Sequence, residues 1–205
     1  MSMPALLSHF GINTARYVTT DGQVVFDGVI CSGSSCSHAT LGRVTPVLGH
    51  TFHGGEGQSD EPMDQTEPWW DDPSEIARHV DAMQTCFPTF VYLPPDGGLE
   101  PRWIGVIDTG RGRFRIAIAL RRDRGLPHVS IVRGPRLGVH SGRRWIPSPH
   151  LYLNGNLCVA DRDDWDVRQH TAATVTAWAA HWLAAYTEWR FSRRWPVEGA
   201  RSIAA

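Results

Sequence analysis

The chain contains no lysine: every one of its 20 basic residues is arginine, set against 21 Asp and Glu for a formal net charge of -1. So small an imbalance leaves no broad electrostatic footprint for nucleic acid or an anionic membrane surface, and recognition is expected to be local. No apolar run is long enough to cross a bilayer, and the opening MSMPALLSHFGIN lacks the basic-then-apolar pattern of a secretory leader. Cysteine is scarce: Cys31, Cys36, Cys86 and Cys158 are too few for a disulfide-framed secreted module and point to a reducing, cytoplasmic setting. No G-x-G-x-x-G or Walker-type stretch follows a strand pattern, so the chain is expected to bind no nucleotide and to need no cofactor.

What is present divides at about residue 66. Residues 1–66 read as an amino-terminal extension. Two β-rich runs around Asp21-Gly22 within residues 15–30 predict a hairpin. The Gly-, Ser- and Pro-rich stretch from Cys31 onward predicts loop or linker. Cys31, Cys36, His38, His50 and His53 carry metal-ligating groups, but they lack the two tight pairs of common zinc modules, and no metal is expected.

Residues 67–205 carry stronger signals and are expected to fold as one domain. Asp71 or Asp72 followed by Pro73 predicts a helix start, with Ile76, Val80 and Met83 on one face and Glu75, Arg78, His79 and Asp81 on the exposed one. Strand patterns follow at 89–93, 103–108, 114–120 and 128–132, separated by Pro-Gly or Arg-Gly turns, which predicts a four-stranded antiparallel meander. Alternation of Phe114, Ile116, Ile118 and Leu120 with Arg115, Ala117 and Ala119 gives that sheet one core face. A polar bridge over 135–149 is expected to lead out of the sheet. Val175, Trp178, Trp182, Ala185, Tyr186 and Trp189 then recur at helical spacing, a tryptophan stripe best explained by packing, since large aromatics dominate core energetics. A disordered-looking tail closes the chain. The fold class is therefore α+β.

The stretch 145–165, WIPSPHLYLNGNLCVADRDDW, alone reads as a reaction centre. Asn154-Gly155 breaks a strand-like run at a tight turn, and Cys158 follows it, where a thiol would be approachable from outside. His150 lies eight positions upstream, and a cysteine with a nearby histidine is the minimal arrangement for nucleophilic catalysis by sulfur. Asp161, Asp163 and Asp164 follow. A carboxylate there would orient or deprotonate an amine, although three acids together also describe a solvated loop.

The order Pro149-His150, Tyr152, Asn154-Gly155, Leu157-Cys158 and Trp165 resembles the active-site stretch of the ubiquitin-conjugating enzyme (UBC) superfamily. In most of that family a His-Pro-Asn motif precedes the cysteine, and here Ser148-Pro149-His150 stands in its place. That departure, with the tryptophan-rich tail, is similar to the bacterial branch found in cyclic-oligonucleotide-based antiphage signalling systems (CBASS). The resemblance implies a UBC-like fold with an amino-terminal helix, meander, active-site loop and carboxy-terminal helices. It also implies a protein transferase that carries a protein carboxyl terminus as a thioester on Cys158 and passes it to an amine on a target. The donor implied is a cGAS/DncV-like nucleotidyltransferase or a ubiquitin-like protein, activated by a separate enzyme or arriving already activated.

Under that reading His150 serves either as the donor that holds the oxyanion or as the base for the thiol. The missing lysines are explained first by an Arg-rich codon bias, and after it by a thioester enzyme that spares its own amines. Two other classes stay open: a catalytically inactive UBC-like binding module, and a cysteine hydrolase using Cys158 and His150.

Overall fold

The computed structural model describes residues 15–52, 60, 67–134 and 136–200. The amino-terminal part forms strands β1 (Tyr17–Thr19), β2 (Val24–Val25), β3 (Val29–Ser32), β4 (Ser35–His38), β5 (Gly42–Pro46) and β6 (His50–Thr51). The first five make one antiparallel sheet in the order β2-β1-β5-β4-β3. The turn between β1 and β2 uses Asp21-Gly22, as the sequence predicts. Gly22 stands at φ 104 with any Cβ only 2.7 Å from the Ile107 side chain, so glycine is needed there.

The stretch read as linker thus contributes three strands. Their side chains are largely polar, and the pairing is fixed by distant partners: Val44 of β5 faces Thr19 of β1 and Cys36 of β4. Cys31 and Cys36 lie directly opposite in the β3–β4 register and are joined as a disulfide, a pairing that the expectation of a reducing setting did not anticipate. Of the ligand candidates considered at the sequence level, His53 falls outside the described residues. Among the described residues no group of three or more His, Cys, Asp or Glu is placed to hold a metal.

After a 3-10 turn at Trp69–Asp71, helix α1 spans Pro73–Cys86. The Asp72 carboxylate accepts from Ser74 N–H at 2.9 Å, and Pro73 occupies the first turn, where its missing N–H costs nothing. Met83 is buried on the expected face, but His79 is buried too rather than exposed. Its Nδ1 accepts the Ala172 N–H at 3.1 Å and so satisfies an orphan donor at the start of the second helix. Strands β7 (Val91–Leu93), β8 (Arg102–Asp108), β9 (Arg113–Ala119) and β10 (His128–Ile131) pair antiparallel in sequential order. Ile116, Ile118 and Leu120 face the core, as their alternation predicts. The bridge over 135–149 folds as a further hairpin, β11 (Gly138–Ser141) with β12 (Arg144–Pro147), in which Val139 pairs with Ile146 across the ladder.

Helix α2 (Ala172–Ser192) is the centre of the molecule. Trp178, Trp182 and Leu183 are fully buried and Tyr186 and Trp189 nearly so, and the apolar surface runs round the whole cylinder, as in a helix enclosed on all sides. It packs on α1, on β9 and on β1 and β2 of the amino-terminal sheet. The tail after α2 turns back rather than trailing away: β13 (Gly199–Ala200) pairs with β6, and Phe52 N–H donates to the Glu198 carbonyl at 2.9 Å. Two α-helices with several antiparallel sheets make a mixed α and β architecture, and no helix among the described residues is long and apolar enough to cross a membrane.

Contacts run across residue 66 at several points. Trp178 Nε1 donates to the Leu48 carbonyl at 3.1 Å, Asp108 N–H donates to the Asp21 carbonyl at 2.8 Å, and Val18, Val47 and Phe52 belong to the buried core. Each large apolar side chain fully buried is worth about 1.5–3 kcal/mol, so a chain beginning at residue 67 should lose several kcal/mol. We expect such a truncation to aggregate or to melt without a cooperative transition. A melt as sharp as that of the full chain, followed by circular dichroism, would instead make 67–205 an independent unit.

Candidate active site

The loop that carries the candidate nucleophile is closed by its own backbone. Tyr152 N–H donates to Asn156 O and Gly155 N–H to Tyr152 O, each at 2.9 Å, around the Asn154-Gly155 corner, with Gly155 at φ 86. Leu151 and Leu157 form an antiparallel bridge, and Cys158 N–H donates to His150 O at 3.0 Å. The two residues singled out from the sequence are therefore backbone partners across one tight loop. His150 itself adopts φ 56, a left-handed conformation rare for a residue with a Cβ and commonest in turns and functional loops.

The thiol is not approachable from outside. Cys158 is 0% exposed, as are Val159 and Ala160 beside it, because Leu157 N–H is tied to Val129 O of β10 at 2.8 Å and the apolar run after the turn dives into the core. The side chain that meets the sulfur is Tyr152, also buried, whose hydroxyl hydrogen-bonds Cys158. Burial above all, and next the bond to Cys158, raise the Tyr152 phenol well above its ordinary value, so it keeps its proton and remains a donor at neutral pH. Sequence reasoning placed Tyr152 in the motif but gave it no task.

The acidic residues take structural parts. Asp161 caps the 3-10 turn Arg162–Asp164 by accepting from Asp163 N–H at 3.0 Å. Asp164 returns the bond to Asp161 N–H at 3.2 Å and accepts Thr51 N–H at 2.7 Å. Asp163 is exposed, its backbone engaged by Asp161. Trp165 Nε1 donates to Arg124 O at 2.8 Å and fastens the end of the stretch to the sheet side.

Two groups invisible to motif reading position this loop. Asp60, buried although it comes from the Gly- and Ser-rich stretch, accepts Asn156 Nδ2–H at 2.9 Å. Its other carboxylate oxygen pairs with the buried Arg121 at 3.4 Å, and His128 Nε2 lies 2.8 Å from its backbone oxygen. Arg121 is gripped from the far side by Asp123, Nε to Oδ1 at 2.9 Å and Nη2 to Oδ2 at 2.5 Å, and that bond, with the charges of Asp123 and Asp60, raises the guanidinium above its ordinary value despite burial.

The other side of His150 is aromatic. Trp195 lies 4.8 Å and Phe52 6.0 Å from its ring centroid, and Phe52 in turn abuts His181 at 5.2 Å. Behind them His50 and His181 are buried as a pair, with 3.2 Å between Nε2 and Nδ1. His50 Nδ1–H donates to Leu48 O at 2.9 Å, and with burial keeping both rings neutral its Nε2 is left to accept from His181 Nδ1–H.

The chain is thus of mixed α and β architecture, with Cys158 in a loop built on backbone pairing. The model for "Type II CBASS E2 protein" matches residues 79–202, more than half of the chain, and the chain belongs to that family. It is thus an E2-like protein of CBASS antiphage systems, a family whose name points to transferase chemistry of the conjugation type and to protein partners. No curated protein and no solved structure matches it.

The histidine pair gives a pH test. Burial first, then nearby positive charge or the partner ring, lowers His50 to about 4 and His181 to about 3, against an ordinary 6.5. Because the folded values are depressed, the unfolded chain binds protons first, and stability that is complete above pH 6.5 is lost as pH falls toward 4. For His50 alone the loss amounts to about 3 kcal/mol. Urea midpoints should be flat near pH 7–8 and fall steeply between about pH 6 and pH 4.5. A midpoint unchanged over that interval would show that the buried rings protonate freely in the native state.

Proposed function

We propose that Cys158 accepts the carboxyl terminus of a donor protein as a thioester and delivers it to an amine on a target, within CBASS antiphage defence. The observation that carries this reading is the loop itself: a cysteine outside the disulfide, held opposite His150 by a 3.0 Å backbone bond, inside the segment that the family match covers. The donor is a cGAS/DncV-like nucleotidyltransferase or a ubiquitin-like protein. With no nucleotide-binding loop in the sequence, activation falls to a separate enzyme or the donor arrives activated.

In this mechanism Tyr152 donates to the sulfur and stabilises the thiolate, which is the attacking species. Attack on the activated donor carbonyl forms a tetrahedral oxyanion, which collapses to the thioester as the bond to the activating group breaks and that group leaves with the electron pair. His150 supplies an N–H to that charge, a contribution worth a few kcal/mol when one such donor is removed in other enzymes. Asp161 shapes the turn after the cysteine, and Asp163, exposed beside it, is the carboxylate free to meet an incoming amine. Since the sulfur is fully buried, loading requires the shell around the loop to open, and the Phe52 and Trp195 rings would have to move off His150 for its ring to reach the oxyanion.

Burial of the thiol also favours a second reading, an inactive E2-like binding module. Adduct formation separates the two on a non-reducing gel. Mixed with activated donor, the wild-type chain should form a DTT-sensitive adduct, Cys158→Ala none, and Cys158→Ser a DTT-resistant ester. His150→Ala should still load but discharge to amines about 10²-fold more slowly. Loading blocked in His150→Ala and restored by higher pH would make the histidine the base instead. Tyr152→Phe, which keeps the ring and removes the hydroxyl, should slow loading and shift its pH profile upward. Absence of any adduct with competent donor leaves the binding module.

A further inference from the structure

From Arg124 to Ala160 the sequence holds Arg124, Arg133, Arg136, Arg143 and Arg144 and no Asp or Glu at all, in a chain whose acids otherwise match its bases. Arg124 is paired with Glu75 at 3.2 Å. Arg133, Arg136, Arg143 and Arg144 are exposed and make no ion pair among the described residues. Arg136 lines a groove of about 1030 Å³ that runs from the end of β10 past β12 to the loop 148–156, with Leu137, Trp145, Ile146, Leu153 and Asn156 among its other lining residues and no acidic residue among them, and Arg133 and Arg144 stand next in sequence to its lining residues Gly134 and Trp145. Leu153 is 72% and Trp145 36% exposed, large apolar side chains left open beside the cations. The groove shares Tyr152 and Asn156 with the candidate active site.

We propose that this groove docks an extended peptide segment in which acidic side chains alternate with aliphatic ones, namely the stretch of the donor protein that precedes its carboxyl terminus. The inference rests on the thioester reading for the identity of the donor, but the groove's chemistry stands by itself. Aliphatic side chains match Leu137, Ile146 and Leu153, while carboxylates at alternate positions meet the Arg136 guanidinium in the groove and those of Arg133 and Arg144 next to its lining, which suit carboxylates by their planar fork. An extended chain points successive side chains to opposite faces, so an alternating sequence can satisfy both kinds of contact. Nucleic acid would also answer the positive charge, but strand binders present several aromatic faces for stacking, and here the exposed rim offers one, Trp145. The groove leads to the loop of Cys158, where the last carbonyl of such a segment would have to arrive.

The probe is a fluorescein-labelled peptide alternating Leu with Asp or Glu, amidated at its carboxyl end so that thioester chemistry is closed to it, titrated against the full-length chain by anisotropy. Saturable binding is expected. It should weaken about tenfold or more in the double variant Arg136→Glu with Arg144→Glu, and again in Leu153→Asp, all surface changes. Raising NaCl from about 50 mM to about 500 mM should weaken it as well, since the cations are exposed. Equal binding of a peptide with Lys in place of the acids, or indifference to the arginine substitutions, would overturn the proposal. So would a labelled single-stranded oligonucleotide that binds more tightly through the same arginines. Because the amidated peptide cannot react, its failure to bind counts against the groove alone, whereas an intact groove with no adduct at Cys158 counts against the thioester reading alone.

Discussion

The buried contact between Asp60 and Arg121 is the constraint on which the site depends. An isolated ion moved into the interior is strongly unfavourable, and a buried pair survives only when hydrogen bonds satisfy what the partner leaves over. Here both conditions are met: Asp123 takes the other edge of the guanidinium and Asn156 occupies the second oxygen of Asp60. Removing one partner of such a network typically costs 3–5 kcal/mol, so the geometry is fixed. Arg121 follows the last residues of β9, His128 begins β10, and Asn156 belongs to the loop of Cys158. One carboxylate therefore references the loop to the edge of the sheet, which is the accuracy a reacting group needs.

The same loop combines features that pull in different directions. A nucleophilic sulfur wants access, yet Cys158 lies in the core with a phenol for company. Burial disfavours a thiolate, while a donor locked in its protonated form favours it. The contacts that position the loop and those that cover His150 come from different residues. Asp60, Arg121 and Asn156 hold the loop from the sheet side, and Phe52 and Trp195 cover His150 from the side of the two chain segments that meet there.

How far the sequence announced this structure depended on whether the relevant contacts were local. The alternation at Phe114, Ile116, Ile118 and Leu120 and the Asp72-Pro73 helix start follow from periods and caps that are legible in one dimension, and both stand. The Asn154-Gly155 corner likewise puts Cys158 opposite His150. The strands between Val29 and Thr51 were hidden because they are short and polar and take their pairing from β1. His79 and Asp60 were hidden for a related reason: a polar residue in a helix or a loop reads as solvated unless its partner is known, and these partners, Ala172 N–H and Arg121, lie about 93 and 61 positions away. The depth of Cys158 was misjudged because an Asn-Gly corner marks a surface turn but says nothing about the direction of the chain after it.

The pairing of β6 with β13 has a consequence for how the protein comes into being. It joins segments roughly 150 residues apart in sequence, and loops of that size close slowly, after local structure has formed. During synthesis the residues of β13 follow the amino-terminal sheet, α1, the central sheet and α2 out of the ribosome. Of the two rings that lie against His150, Phe52 is therefore made long before the Cys158 loop and Trp195 only after it, so the cover on His150 is finished by the same late segment that brings β13 to β6.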